Sequence, residues 1–258
     1  MPICYSPYTH HRPSIDTVAL IFEELDWQST PLGDISLRKR EEPRLDNLLI
    51  YEVKLNDDFL MSSLFVEAEE QLSTLGLTQL KANGHNKNLN IIVGGLGLGY
   101  TALTALNDTD VKQLRTIDVM QPVISWHKQG ILPVGNILDT DDRSELIHGN
   151  FFDIATNAQQ GFLDEVQVDA VLLDIDHSPS HWLNEVKRDF YTPVSLTAVA
   201  NKIKSGGVFG LWSNELPDQD FIDLLNTVFA STEAHIVRFP NPYSGGESIN
   251  SVYISTVA

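Results

Sequence analysis

The stretch "NLNIIVGGLGLGYTALTAL", residues 88–106, decides how the chain is read. "LNIIV" is a continuous apolar run of strand length, and "YTALTAL" follows it as an amphipathic helix. Between them Gly94, Gly95, Gly97 and Gly99 place four glycines in six residues. Glycine reaches φ > 0 and lets backbone approach a ligand closely, while the helix that begins there offers free N–H groups. In an open parallel sheet such a first strand-to-helix turn lies at the carboxyl ends of the strands, where ligands bind. The turn therefore reads either as a ligand cradle or as a tight turn alone.

Downstream, short apolar runs alternate with helical patterns: "LRTI", "ELIH", "VDAVLLDI", "GGVFGLW" and "AHIVRF". This alternation predicts right-handed βαβ crossovers and a mostly parallel sheet covered by helices on both faces. The last run, "SINSVYIST", follows "NPYSGG" too closely for a crossover helix and is expected antiparallel beside its predecessor. Upstream, "SIDTVALIFEELDW" has helical spacing through Ile15, Val18, Phe22 and Leu25. "PLGDISLRKR" and "LLIYEVKL" alternate as strands around a charged turn, and "LFVEAEEQLSTLGLTQL" reads as a helix. The polar "KANGHNKN" then acts as a linker. The expected division is residues 1–85, an N-terminal helix with a small β unit and a linking helix, and residues 86–258, a Rossmann-like domain.

Composition limits the partners. The chain has 258 residues, with 35 acidic against 17 basic side chains and a formal charge of −18. That charge repels nucleic acid and anionic lipid and attracts cationic small molecules, or it simply keeps the protein soluble. The single cysteine, Cys4, excludes an internal disulfide, and the opening residues lack a secretory pattern. No apolar run approaches the roughly 20 residues that span a bilayer. A cytoplasmic protein with neither membrane nor nucleic-acid partners is expected.

Asp118 ends the second strand about 20 residues beyond the glycine turn, where a carboxylate can accept hydrogen bonds from both ribose hydroxyls. The glycine spacing refines the ligand. Gly95, Gly97 and Gly99 give G-x-G-x-G rather than the dinucleotide G-x-G-x-x-G, and this is the spacing typical of S-adenosylmethionine-dependent transferases. Asn150, in "ELIHGNFFDIA", stands where such folds place a polar residue against adenine, or is a turn residue after Gly149. In "DAVLLDIDHSPSHW", Asp174 and Asp176 fall on one side of the strand if it persists, so they can hold an ammonium group. Asp176 can alternatively cap the helix that begins at Ser178-Pro179. His177 and His181 sit four apart, but Pro179 disrupts the helix a metal pair would need, so no metal is expected. Trp212 and Tyr243 either line an acceptor pocket or form core edges.

With "IIVGGLGLG", Asp118, "HGNFFD", "VLLDIDHSP", "IKSGG" and "NPYSGG", and Glu67 on the linking helix, the chain resembles the spermidine synthase-like, or polyamine aminopropyltransferase-like, proteins of polyamine biosynthesis. The resemblance covers most of the chain. It implies an α/β, Rossmann-like class I methyltransferase fold, with a mostly parallel seven-stranded sheet and an antiparallel last strand, behind a small β-hairpin unit. It also implies decarboxylated S-adenosylmethionine as co-substrate, an amine acceptor and Asp174 as the catalytic carboxylate that contacts the amine and helps deprotonate it, with Asp176 as its catalytic companion, and it makes a homodimer plausible. Glu67, His177, Trp212 and Tyr243 are the expected substrate-binding residues. The chain departs from the family at Leu96, where an acidic residue is usual, at Met61, where glutamine is usual, and at His177, where a second carboxylate is expected. An S-adenosylmethionine-dependent methyltransferase and a non-catalytic nucleoside-binding protein are the alternative readings.

Overall fold

In a computed structural model, the described residues are 20–56, 58–157, 161–162, 166–175 and 190–258. Two sheets organise them. Strands β1 (Phe22–Thr30), β2 (Gly33–Glu42), β3 (Leu48–Leu55) and β4 (Asp58–Ser62) form an antiparallel meander in that order. The second sheet contains β5 (Leu89–Gly94), β6 (Val111–Asp118), β7 (Ser144–His148), β8 (Val168–Leu173), β9 (Ile203–Ser213), β10 (Ser231–Asn241) and β11 (Gly246–Thr256), in the order β10-β11-β9-β8-β5-β6-β7. The pairs among β5, β6, β7, β8 and β9 are parallel, and β11 inserts antiparallel between β9 and β10. The alternation of runs predicts this mostly parallel sheet, and the family resemblance implies its Rossmann-like class I methyltransferase architecture.

The central strands are apolar on both faces because helices cover both. Along β5, Leu89, Ile91 and Val93 enter one core, while Ile92 enters the other. Helices α1 (Glu67–Ala82), α2 (Tyr100–Leu106), α3 (Gln121–Lys128) and α4 (Gly135–Thr140) lie with the first core, together with Ile35, Leu37 and Val53 of the meander. The second core receives α5 (Phe151–Thr156), α6 (Pro193–Ala200) and α7 (Gln219–Asn226). Although α1 precedes the glycine turn, it packs on β8, β9 and β11 and against α2. Its buried Leu72, Gly76 and Leu80 form the stripe that faces the second sheet. No helix among the described residues is long and apolar enough to cross a membrane.

The helix predicted across residues 14–27 is corrected. Residues 14–19 lie outside the described residues, and from Phe22 onward the chain is strand β1. The register shifts between Glu24 and Asp26, so Leu25 is the extra residue of a bulge. The spacing of three between Phe22 and Leu25 matches a helical period only by coincidence. The two do not share a buried face: Leu25 packs on the core, while Phe22 is 67% exposed. The short strand β4, in "NDDFLMSS", is an element that the sequence reading leaves unassigned.

Asp26 ties the meander to the Rossmann-like unit. Its Oδ2 accepts the indole N–H of the fully buried Trp126 at 2.6 Å. Burial works against ionising this carboxyl, but the hydrogen bonds from Trp126, Gln28 and the Trp27 amide outweigh it and hold its pKa below the ordinary value. Asp26→Ala leaves the indole N–H buried without an acceptor, and the expected loss is about 1–3 kcal/mol of unfolding free energy, read from urea denaturation.

Candidate active site

The glycine turn leaves β5 at the carboxyl edge of the sheet. Gly95, Gly97 and Gly99 have φ of +94°, +50° and +92°, a region side chains with a Cβ seldom occupy. Their surroundings separate their roles. A Cβ on Gly95 would lie 1.9 Å from the Asp174 carbonyl oxygen, and one on Gly99 would lie 2.7 Å from His127 and Val134. Both positions are closed by the protein itself. At Gly97 the Cβ direction meets the sulfur of Met61 at 3.2 Å, the far end of a flexible side chain. His127, fully buried beneath the turn, donates from Nε2 to the Gly97 carbonyl at 2.9 Å. Burial lowers its pKa, which keeps the imidazole neutral in this role.

Asp118 braces the turn. Its Oδ2 accepts the Leu96 N–H at 2.8 Å and its Oδ1 accepts the Met120 N–H at 2.7 Å. The carboxylate thus stands at the end of β6 beside the turn, as its spacing from the glycines predicts. Asn150 is the N-cap of α5, where its Oδ1 accepts the Phe152 N–H at 3.0 Å.

A cleft of about 240 Å³ opens beside the turn. Gly97, Gly99, Asp174 and Trp212 line it, so four of the expected site residues meet here. Met61 of β4 and Phe65 close it from the meander side, and Phe239 and Asn250 close it from β10 and β11. Asp174 follows the last residue of β8, and both its oxygens are held. Trp212 Nε1 donates to Oδ1 at 2.5 Å and Thr101 Oγ1 donates to Oδ2 at 2.7 Å. Burial pushes the Asp174 carboxyl up to about 6 against those two hydrogen bonds, with the charge of Asp118 adding to the rise.

The cleft contains an acid that the sequence reading does not select. Glu69 of α1 lines it, while Glu67 is absent from its wall and folds back so that its carboxylate accepts the Val66 N–H at 3.0 Å. Burial, and then the charge of Asp174, push Glu69 up to about 8. The signal was present: Glu69 lies three, four and seven residues before the buried Leu72, Ser73 and Gly76, so it shares their helix face. Tyr243 also lies outside the cleft wall. Its hydroxyl accepts from Arg40 Nη2 at 2.7 Å, and its ring stands under Arg44, which joins the β10–β11 turn to the meander. Asp176, His177 and His181 lie outside the described residues, and among the described residues no cluster of His, Cys, Asp and Glu is arranged to hold a metal.

Two variants separate packing from ligand approach. Gly95→Ala forces Cβ into the Asp174 backbone and is expected to cost at least about 3 kcal/mol, visible as a large fall in melting temperature. Gly97→Ala is expected to cost only about 1 kcal/mol, mainly for its positive φ, and to weaken binding of methylthioadenosine by calorimetry. The acid pair has its own signature. Folded Glu69 keeps a proton up to about pH 8, whereas a glutamate of ordinary value 4.5 has lost it in the unfolded chain. The native state then binds more protons, so this pair's contribution to stability falls as pH rises from about 4.5 to about 8. In Glu69→Gln the decline between pH 5 and pH 8 is expected to flatten, as read from urea midpoints.

No family model and no curated protein matches the sequence. Solved structures do match the fold. Spermidine synthase from Thermotoga maritima superposes with a TM-score of 0.65 at 16% identity, covering 91% of this chain and 73% of that one. A spermidine synthase in complex with the transition-state analogue AdoDATO gives 0.65 at 15% identity, covering 91% and 74%. Human methyltransferase-like protein 13 in complex with SAH gives 0.55 at 16% identity, covering 74% and 82%. The chain therefore has the class I S-adenosylmethionine-dependent transferase fold in a spermidine synthase-like form.

Proposed function

We propose that the protein transfers an aminopropyl group from decarboxylated S-adenosylmethionine to an amine. The observation that carries this reading is the pair Glu69 and Asp174 in one cleft beside the glycine turn. Two carboxyls in a poorly solvated space cannot both ionise cheaply, and a cation between them relieves the repulsion. A donor that still carries its α-carboxylate would bring a further negative charge to this cleft. The decarboxylated donor brings no such charge and leaves the pair to the acceptor's ammonium. Met61, facing Gly97, together with Leu98 and Phe65, leaves the wall beside the turn apolar, which suits the methylene tail.

In the reaction, a neutral amine nitrogen attacks the methylene carbon bound to the sulfonium. The C–N bond forms as the C–S bond breaks, and sulfur keeps the electron pair as methylthioadenosine leaves. The protein's task is to align nitrogen with carbon and to stabilise the charge that develops on nitrogen. Asp174, fixed by Thr101 and Trp212, supplies a charge of defined position. Asp118, at the strand end beside the turn, is the expected ribose anchor.

Incubation with each donor and a panel of amines, followed by identification of the nucleoside product, tests the reading. Methylthioadenosine supports aminopropyl transfer. S-adenosylhomocysteine replaces it with methyl transfer, and absence of both products leaves a nucleoside-binding protein. Asp174→Asn retains shape, since the Thr101 hydroxyl can reverse its hydrogen bond, but removes the charge. The expected result is turnover lower by about 100-fold with little change in nucleoside affinity. Asp118→Ala should weaken methylthioadenosine binding by about 2 kcal/mol in calorimetry.

A further inference from the structure

We infer that Glu69, rather than Asp174, is the group that takes the proton from the acceptor amine, with Asp174 acting as its fixed counter-charge. The inference rests on the transferase reading above and assigns a role that the strand-end carboxylate had been expected to fill.

The two acids differ in how they are held. Asp174 has a donor on each oxygen, from β9 through Trp212 and from α2 through Thr101. Thr101 is itself pinned: its carbonyl accepts from Ser73 Oγ at 2.6 Å, and its hydroxyl also reaches the Glu69 carbonyl at 3.2 Å. A carboxylate held this way is a rigid charge whose basicity is reduced by its donors. The Glu69 carboxylate meets only its own backbone amide among the described residues. It lines the cleft on a side chain one methylene longer than aspartate, so it can follow a proton from the amine toward solvent. Glu69 is therefore the acid whose lone pairs are open to a ligand.

The charged groups around it support the assignment. On α1 it has Glu67 and Glu70, the latter exposed, and on α2 it has the half-buried Tyr100. Asp174 stands at the end of β8, with Asp118 behind it at the end of β6. The cleft residues from β9, β10 and β11 are Trp212, Phe239 and Asn250, which carry no charge. Among the described residues the charged neighbours of Glu69 are acidic, and Asp174, Glu67 and Glu70 raise its proton affinity. An ordinary carboxylate is about six pK units too weak to deprotonate an amine efficiently. Raising Glu69 to about 8 narrows that gap.

The balance of the step is simple. The acceptor enters as an ammonium, whose charge makes Glu69 release its own proton to solvent, and the ammonium then gives one proton to the ionised Glu69. The neutral nitrogen then attacks the donor carbon, the C–S bond breaks with its pair on sulfur, and the product leaves as a secondary ammonium. One proton per turnover passes from Glu69 to solvent.

Proton counting tests the assignment without requiring transfer. n-Butylamine is titrated into the protein saturated with methylthioadenosine at pH 7, in phosphate and in Tris, and the difference in heat between buffers gives the protons released. The parent is expected to release close to one proton per amine bound. Glu69→Gln should release almost none, while Glu69→Asp should restore release. Equal release by the parent and Glu69→Gln overturns the proposal. With a productive amine, Glu69→Gln should also lower kcat at least 100-fold, leave the donor KM unchanged and abolish the acid limb of the pH–rate profile. Retention of that limb overturns the assignment as well. If the parent releases its proton but forms no methylthioadenosine from any amine, the aminopropyl reading fails while the proton-accepting role of Glu69 stands.

Discussion

The close approach of strand β8 to the glycine turn is the constraint on which the site depends. Gly94 lies opposite Leu173 in the parallel pair, its carbonyl accepts the Asp174 N–H at 2.6 Å, and Gly95 leaves no room for a Cβ against the Asp174 carbonyl. The backbone of residue 174 is thereby fixed relative to the turn before any side chain is considered. Thr101 from α2 and Trp212 from β9 then fix its carboxylate. The distance from the turn to the charge is set by main-chain sterics, which are stiff, and only then refined by hydrogen bonds, which are soft.

The meander completes this arrangement rather than decorating it. Strand β4 brings Met61 over Gly97, and the contacts that hold the meander in place are few and specific. Asp26 meets Trp126 at one end, and Arg40 meets Tyr243 at the other. Between them Ile35, Leu37 and Val53 share the core of α1 and α2. Movement of the meander relative to the larger sheet would open the cleft on the side of Met61 and Phe65. Tyr243 is therefore better understood as a brace between the two sheets than as a pocket residue.

The fold was legible because its signals are local. A strand, a glycine turn and a helix follow one another within 19 residues, and the same apolar run recurs at each strand. Asp118 was legible for a similar reason, since its distance from the turn is fixed by one helix and one connection. Glu69 was not selected because "EAEE" offers three acids in one helical turn, and only packing shows which faces the sheet. Strand β1 reads as a helix because Phe22 and Leu25 fall three apart, and only the fold shows that Leu25 alone of the two packs on the core. Asn150 was ambiguous for a chemical reason: an asparagine after a glycine serves equally well as a ligand contact and as a helix cap, and here it caps α5.

The acidity of the chain acts at two ranges that are easily confused. A net charge of −18 draws cations toward the surface over about a Debye length and makes no distinction among them. The Glu69–Asp174 pair works at short range. Burial raises both acids, so the cleft by itself holds less charge than its two carboxyls suggest. A neutral ligand gains little from such a site, and an anion is opposed by it. An ammonium lets the second acid ionise, so that its arrival creates the charge that binds it. On the transferase reading proposed above, selectivity for a cation follows from the repulsion between two carboxyls in an enclosed space, which no count of acidic residues reveals.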